Sequence, residues 1–298
     1  MIRVVMASDK HLIRQLGITA MSAIQHSSLP LHFTLLTPDA DAADPSWAAV
    51  TSLLERNGAQ CHLTPISTTP SLLQLASHLT PVTYYRLLLP DILPEAFDRV
   101  IYMDCDVLVG RDLRPLWTLN IGEHAIGAAE DLMFDYWSHL GIDEQLGYFN
   151  AGVLLLDLKR IRDHGLFTAA LEFAQTNPSA LTWSDQCALN KVFTGRWYHL
   201  DNCWNYQYSM FLEDIHESGM AEASRLASNA VTHFNNYDRP WLCESAHPLK
   251  ARYFAIANAH EELRLRSDCT AAKYWTRLKR TVKWRLIASG LRRGSTRG

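Results

Sequence analysis

The feature that most limits what this chain can fold into is an alternation of pattern across residues 1–135. Short apolar runs at Ile2–Ala7, His32–Thr37, Cys61–Ile66 and Arg99–Met103 have the length and composition of buried strands. Between them, Leu12–Ile24 and Trp47–Arg56 repeat apolar residues at helical spacing, the second ending at Gly58, and Tyr84–Leu89 reads as a short helix stopped by Pro90. Such β-α-β alternation predicts an α/β fold with a mostly parallel sheet and helices on both faces. Ligands of these sheets bind at the carboxyl ends of the strands. Asp9, Asp104 and Asp106 each follow such a strand, so all three are expected on one rim.

The second half is less regular. Ala151–Leu156 is an apolar run, Ser184–Phe193 and Pro248–Asn258 read as helices, and Val231–Phe234 ends a short strand. From Ala271 to Ile287 apolar residues recur at helical spacing, with Lys and Arg at most other positions. Charge divides the chain in the same place. Residues 264–298 hold 11 basic residues against Asp268 alone, whereas the preceding part holds 17 basic and 30 acidic residues. The expected division is therefore a domain over 1–263 and a basic amphipathic tail over 264–298. Tyr274, Trp275 and Trp284 among these cations suit an anionic membrane surface. Nucleic acid is not an expected partner, because no recognition fold accompanies the charge.

No run approaches the roughly 18 apolar residues of a spanning helix, and Met1–Asp9 is too short and too soon interrupted for a signal peptide. The six cysteines (Cys61, Cys105, Cys187, Cys203, Cys243, Cys269) show no CxxC spacing and read as free buried thiols of a reducing compartment. The expected location is cytoplasmic, peripherally attached to the inner face of the cell membrane.

The sharpest candidate for chemistry is Asp104-Cys105-Asp106 inside Val100–Val109. Residues two apart in extended backbone point the same way, so both carboxylates can face one cation. An isolated pair of this kind also suits a surface turn, but apolar residues flank this one on both sides. Two acids beside a buried strand repel and desolvate each other unless a cation intervenes. Carboxylate oxygens suit Mg²⁺ or Mn²⁺. His233 is either a third ligand, which would favour Mn²⁺, or a hydrogen-bonded strand end. Arg239 can grip a phosphate with its fork of donors or stand as a solvated loop charge. Arg86 pairs with a phosphate or with a structural carboxylate. Asn150-Ala-Gly152 and Ser184-Asp185-Gln186 offer amides to sugar hydroxyls, or a turn and a helix-terminal acid. No GxxxxGK[ST] or GxGxxG is present, so phosphate handling rests on a metal and side chains.

Together these motifs resemble one family, the retaining glycosyltransferases of family 8, which includes bacterial lipopolysaccharide galactosyl- and glucosyltransferases. The resemblance runs in order over roughly residues 2–242: Met6-Ala7-Ser-Asp9, Thr83-Tyr-Tyr-Arg86, Ile101-Tyr-Met-Asp104-Cys105-Asp106, Phe149-Asn150-Ala-Gly152, Ser184-Asp185-Gln186, and Thr232-His233 through Arg239-Pro-Trp241. It implies a Rossmann-like GT-A fold for nucleotide-diphospho-sugar transfer, followed by the basic amphipathic helix. Asp104, Asp106 and His233 match metal ligands for Mn²⁺ (or Mg²⁺). Asp9 matches an acid near the uracil, Arg86 an arginine of the donor pocket, and Ala7 and Cys105 lie in motifs bordering the donor. Asn150, Asp185 and Gln186 match residues lining the transferred sugar, and Asp131 an acid beside the reacting centre. Asn235–Arg239 matches a segment closing over the pyrophosphate, with Asn236 where Gly is common and Arg239 where Lys is usual. Lys10 and His11 replace the usual acid and Asn, which puts the uridine contact in doubt.

The implied reaction moves a hexose from a UDP-sugar to a saccharide or glycolipid acceptor by same-face attack within an ion pair, Gln186 and Asp185 stabilising the oxocarbenium charge. Alternatives are a glycogenin-like self-glucosylating protein, a UDP-sugar hydrolase and a non-enzymatic nucleotide-sugar-binding protein.

Overall fold

The computed structural model describes residues 1–67, 81–133, 137–235 and 238–288. Its main sheet contains β1 (Ile2–Ala7), β2 (Leu31–Pro38), β3 (Gln60–Ile66), β4 (Arg99–Met103), β6 (Ile126–Glu130), β7 (Phe149–Asp157) and β8 (Tyr198–His199). A two-stranded sheet pairs β5 (Val107–Val109) with β9 (Val231–His233). The main sheet runs in the order β3-β2-β1-β4-β7-β6-β8. β7 alone is reversed, antiparallel to β4 on one side and to β6 on the other. The α/β fold and mostly parallel sheet are thus as expected.

Alternation within the strands builds two cores. Val4, Met6, Ile101, Met103, Val153 and Leu155 face one cluster, while Val5, Val100, Tyr102, Leu154 and Leu156 face the other. A strand covered on both faces needs apolar residues at every position, which explains the continuous runs in the sequence. Because β7 is reversed, its start lies beside the ends of β4 and β6: Met103 pairs with Val153 and Glu130 with Phe149. The rim therefore collects Asp104, Asp131 and Asn150 although they lie far apart in sequence.

The predicted helices form at Ile13–His26, Pro45–Arg56, Ser184–Phe193, Lys250–Ala259 and Ala271–Ala288. Pro90 does not end the chain's turn at Leu89. A 3-10 segment over Pro81–Leu88 passes into a helical turn, Leu89–Ile92, where proline sits in the first turn and its missing N–H costs nothing.

Two expectations for the C-terminal part are corrected. Cys243 and Cys269 form a disulfide rather than standing as free thiols, so cysteine usage no longer argues for a reducing compartment. Their 26-residue separation hides that the chain returns Cys269 to the loop after β9. Trp284 is also not on an outward face: with Ile287 it is buried in the main core, edge-on to Tyr208 and Phe211. The exposed apolar residues of this helix are Tyr274, Trp275, Leu278 and Val282, on the side opposite Trp284 and Ile287. No helix among the described residues is long and apolar enough to cross a membrane.

Candidate active site

Three ends of chain define the site. Beyond β4, the backbone N–H of Asp104 donates to Gly152 O (2.8 Å), and Asp106 O accepts from Phe234 N (2.9 Å). The Thr19 hydroxyl, from the first helix, donates to the carbonyls of Cys105 (3.0 Å) and Val107 (2.6 Å). The Asp-Cys-Asp turn is thereby clamped from β7, β9 and the first helix. Cys105 is half-buried within it. β9 delivers His233, whose Nε2 lies 3.2 Å from Asp106 Oδ1 and 4.0 Å from Asp104 Oδ2. Ligand atoms of Asp104, Asp106 and His233 all fall within 4.8 Å of one another.

The imidazole is held from behind. Nδ1 faces the side-chain oxygens of Asn150 (3.1 Å) and Asn205 (3.0 Å). With Nδ1–H donating to these acceptors, Nε2 faces the carboxylates, the arrangement that orients metal-binding histidines. Gly152 makes room for the ring, since a Cβ there would stand 2.1 Å from His233 Cε1. The glycine is set by this close approach. Gly152→Ala is expected to lower Mn²⁺ affinity roughly 10- to 100-fold by displacing His233. Calorimetric titration with Mn²⁺ checks this, and unchanged affinity would show the ring is not a ligand.

Arg86 lies under the carboxylates, not among free phosphate-facing groups. Its Nε pairs with Asp185 (2.8 Å), Nη2 with Asp104 (2.9 Å), and Nη1 with the carbonyl of Ala151. It also stacks over Tyr102 at 4.5 Å, and the Tyr102 hydroxyl donates to Asp104 at 3.0 Å. The charged partners of Arg86 in the structure are carboxylates, one of them Asp104 of the candidate metal trio. Asp185 is only 4% exposed and sits behind Arg86. Burial pushes it up to about 6 despite the adjoining guanidinium.

Burial also raises Asp104, against the pull of Arg86. Asp106 is desolvated too, yet His233 and Arg239 hold it below the ordinary carboxylate range. Burial opposes charge on His233, but Asp106 and Asp104 prevail and raise its pKa. The excess negative charge that lifts the imidazole is what a divalent cation would neutralise. Two carboxylates and one imidazole are a donor set that suits Mn²⁺ or Mg²⁺. The residues fit a metal.

A second cluster adjoins the first. Asp131 Oδ2 accepts from Asn150 Nδ2 (3.2 Å) and Gln186 Nε2 (3.1 Å), while Gln186 Oε1 accepts from Ala151 N (3.0 Å). Ser184, which opens the helix carrying Asp185 and Gln186, has a left-handed φ of 48°. Such strain persists where surroundings over-determine it, often at functional sites. Arg239 reaches Asp106 at 3.8 Å, and its buried Nε has no acceptor among the described residues. Asn236 lies outside the described residues.

Asp9 follows β1 and Ala7 ends that strand, as expected, but Asp9 Oδ1 is occupied by the His11 N–H at 2.9 Å. Lys10 pairs with Asp41 at 3.5 Å. Lys10 and His11 border a cavity of about 260 Å³ shared with Trp241 and Arg266. Sequence reasoning missed Asn205 and Thr19, whose roles are contacts across the fold with no local signature, and Tyr102, whose hydroxyl reaches Asp104 only two residues on.

The fold and site thus define an α/β protein with a carboxylate–histidine trio able to hold a metal at the strand ends, beside a cluster of amides around Asp131. The profile of glycosyl transferase family 8 matches residues 3–245, and the chain belongs to that family. It is 31% identical over 187 residues to general stress protein A of Bacillus subtilis, covering 60% of this chain and 65% of that one. It is 28% identical over 166 residues to glycosyltransferase GlyF of Streptococcus pneumoniae, covering 55% and 38%. These matches span less than two thirds of each relative's length. Among solved structures, galactosyltransferase LgtC in complex with donor and acceptor sugar analogs superposes with a TM-score of 0.76 at 26% identity, covering 87% of this chain and 96% of that one.

Proposed function

We propose that this protein is a retaining, metal-dependent hexosyltransferase that moves galactose or glucose from a UDP-sugar to a saccharide acceptor, such as a lipopolysaccharide or lipooligosaccharide core. The observation that carries the reading is the juxtaposition of Asp104, Asp106 and His233 with the Asp131–Asn150–Gln186 cluster. One group can hold a cation at a diphosphate, and the other can hold a sugar. The likeness to a galactosyltransferase solved with sugar analogs supports the same reading.

Asp104, Asp106 and His233 would hold Mn²⁺ or Mg²⁺, which when bound would neutralise the pyrophosphate and stabilise the leaving UDP. Arg239 Nε, buried and unpartnered among the described residues, would meet a phosphate oxygen. Arg86 contributes by fixing Asp104, and Asp185 by fixing Arg86. Gln186 and Asn150 present amides whose orientation Asp131 sets, and Gln186 would stabilise the developing oxocarbenium charge. UDP release from a panel of UDP-sugars, with and without Mn²⁺, tests the function. Release from one UDP-hexose that requires Mn²⁺ supports it; no release from any donor, or release indifferent to metal, overturns it. Intact mass after incubation separates transfer from self-glucosylation, which adds hexose steps to the chain.

The proposal includes peripheral attachment to an anionic membrane, at its cytoplasmic face. Tyr274, Trp275 and Val282 are 55%, 64% and 55% exposed, and Lys279, Lys283 and Arg285 flank them. Aromatic rings at the interface and cations at headgroups suit that partner. Deleting residues 264–298 is a poor test, because Trp284 and Ile287 belong to the core. Replacing Tyr274, Trp275, Leu278 and Val282 together with Ser is expected to cut binding to phosphatidylserine vesicles at least roughly tenfold. Sedimentation with vesicles measures this, with thermal unfolding as the control; undiminished binding would remove the membrane from the proposal.

A further inference from the structure

The C-terminal helix holds the residue beside Arg239. Asp238 is 3% exposed, and its carboxylate must be satisfied where it lies. Oδ2 accepts from Trp284 Nε1 at 3.2 Å, Oδ1 pairs with Arg280 Nη1 at 3.6 Å, and Oδ1 also accepts from Ala246 N at 3.0 Å. Two of these three partners come from the helix Ala271–Ala288. The Arg280 guanidinium also donates to Glu244 O at 3.2 Å, so one side chain ties the helix to both ends of the segment 238–244. Trp284 is itself fixed, 5.6 Å from the ring of Tyr208 and 5.3 Å from that of Phe211. The next residue along from Asp238 is Arg239, 3.8 Å from Asp106, its side chain 44% exposed and its Nε without an acceptor among the described residues.

We propose that Trp284 and Arg280 are positioning residues for the transfer reaction: by satisfying Asp238 they hold the adjoining backbone so that Arg239 faces the donor's diphosphate. This rests on the reading of the site as a nucleotide-sugar transferase. It gives the basic helix a task inside the active site, separate from its exposed face. The Cys243–Cys269 disulfide and the pairing of Lys273 with Asp268 fix the start of the same helix. In a reducing compartment Trp284 and Arg280 would remain as its links to Asp238.

Trp284→Phe tests the idea, since phenylalanine keeps an aromatic ring against Tyr208 and Phe211 and removes the indole N–H. A hydrogen bond to a charged group carries enough free energy to raise the donor KM roughly tenfold. The acceptor KM is expected to stay near that of the unaltered protein, and the Tm to fall by a few degrees only, the cost of one hydrogen bond to a buried carboxylate. In an Arg239→Ala background the same replacement is expected to change the donor KM less than about twofold, because the group it positions is gone. An unchanged donor KM overturns the proposal, and so does an equal rise in both backgrounds. Hydrogen exchange of the amides of Asp238, Arg239, Trp241 and Leu242 gives a readout without turnover. Trp284→Phe is expected to speed it in the substrate-free protein, and unaltered exchange counts against the proposal. If the unaltered protein releases UDP from no donor, the functional reading fails by itself, and exchange still decides whether Trp284 holds the loop.

Discussion

Asp106→Asn is expected to cut transfer from the UDP-sugar by on the order of 10³-fold, with loss of measurable Mn²⁺ binding and little change in fold. The side chains are nearly the same size, and the backbone contact that anchors the turn, Phe234 N to Asp106 O, survives. What is lost is charge. Asp106 lies 3.2 Å from His233 Nε2 and 3.8 Å from Arg239, so it joins the proposed metal trio to the arginine proposed to meet phosphate. A metal acting as Lewis acid is worth several kcal/mol at the transition state, which corresponds to the stated loss. UDP release under saturating donor and Mn²⁺ titration together check it. A variant keeping more than about a tenth of the activity would show that the pair is not the cation's seat.

Arg86→Leu is expected to destabilise the protein by about 3–5 kcal/mol, the usual cost of leaving buried charge without its partner. Arg86 and Asp185 have side chains 6% and 5% exposed, while Asp104, more open at 24%, retains some solvent relief. Leucine would leave both acids facing each other without a cation. Arg86→Lys is expected to recover little, because one ammonium cannot replace a planar fork bridging Asp104, Asp185 and the Ala151 carbonyl. Arg86→Leu with Asp185→Leu is expected to regain part of the loss, as an apolar pair can replace a buried ion pair. Urea unfolding of metal-free protein measures all three. A loss below about 1 kcal/mol for Arg86→Leu would mean the acids are screened by water.

The helical and strand periods, and the runs long enough for strands covered on both faces, were readable one segment at a time. The Asp104–Asp106 pair was visible too, but not its geometry: extended backbone would align the two side chains, whereas the structure places the pair in a turn between β4 and β5. His233 was legible only through the motif's resemblance, since a lone histidine at a strand end carries no signal of its own. Arg86 shows the limit most clearly. Its residue type permitted a phosphate or a carboxylate partner, and the choice depends on Asp185, 99 positions away, folding in behind it. The disulfide was missed for the same reason. Nothing in the spacing of Cys243 and Cys269 reveals that they meet.

The sequence by itself determined the α/β alternation, the acidic pair at a strand end and the basic character of the last helix, because each is a property of neighbouring residues and local backbone geometry. The tertiary structure alone decided what those features face. It turned Trp284 inward to Asp238 and left Trp275 outward, made Arg86 a support, and set Gly152 against the His233 ring. The physical reason is the reversed β7 and the returning C-terminal helix, which bring distant groups within hydrogen-bond reach. Burial then makes those pairings strong enough to fix one orientation for each side chain.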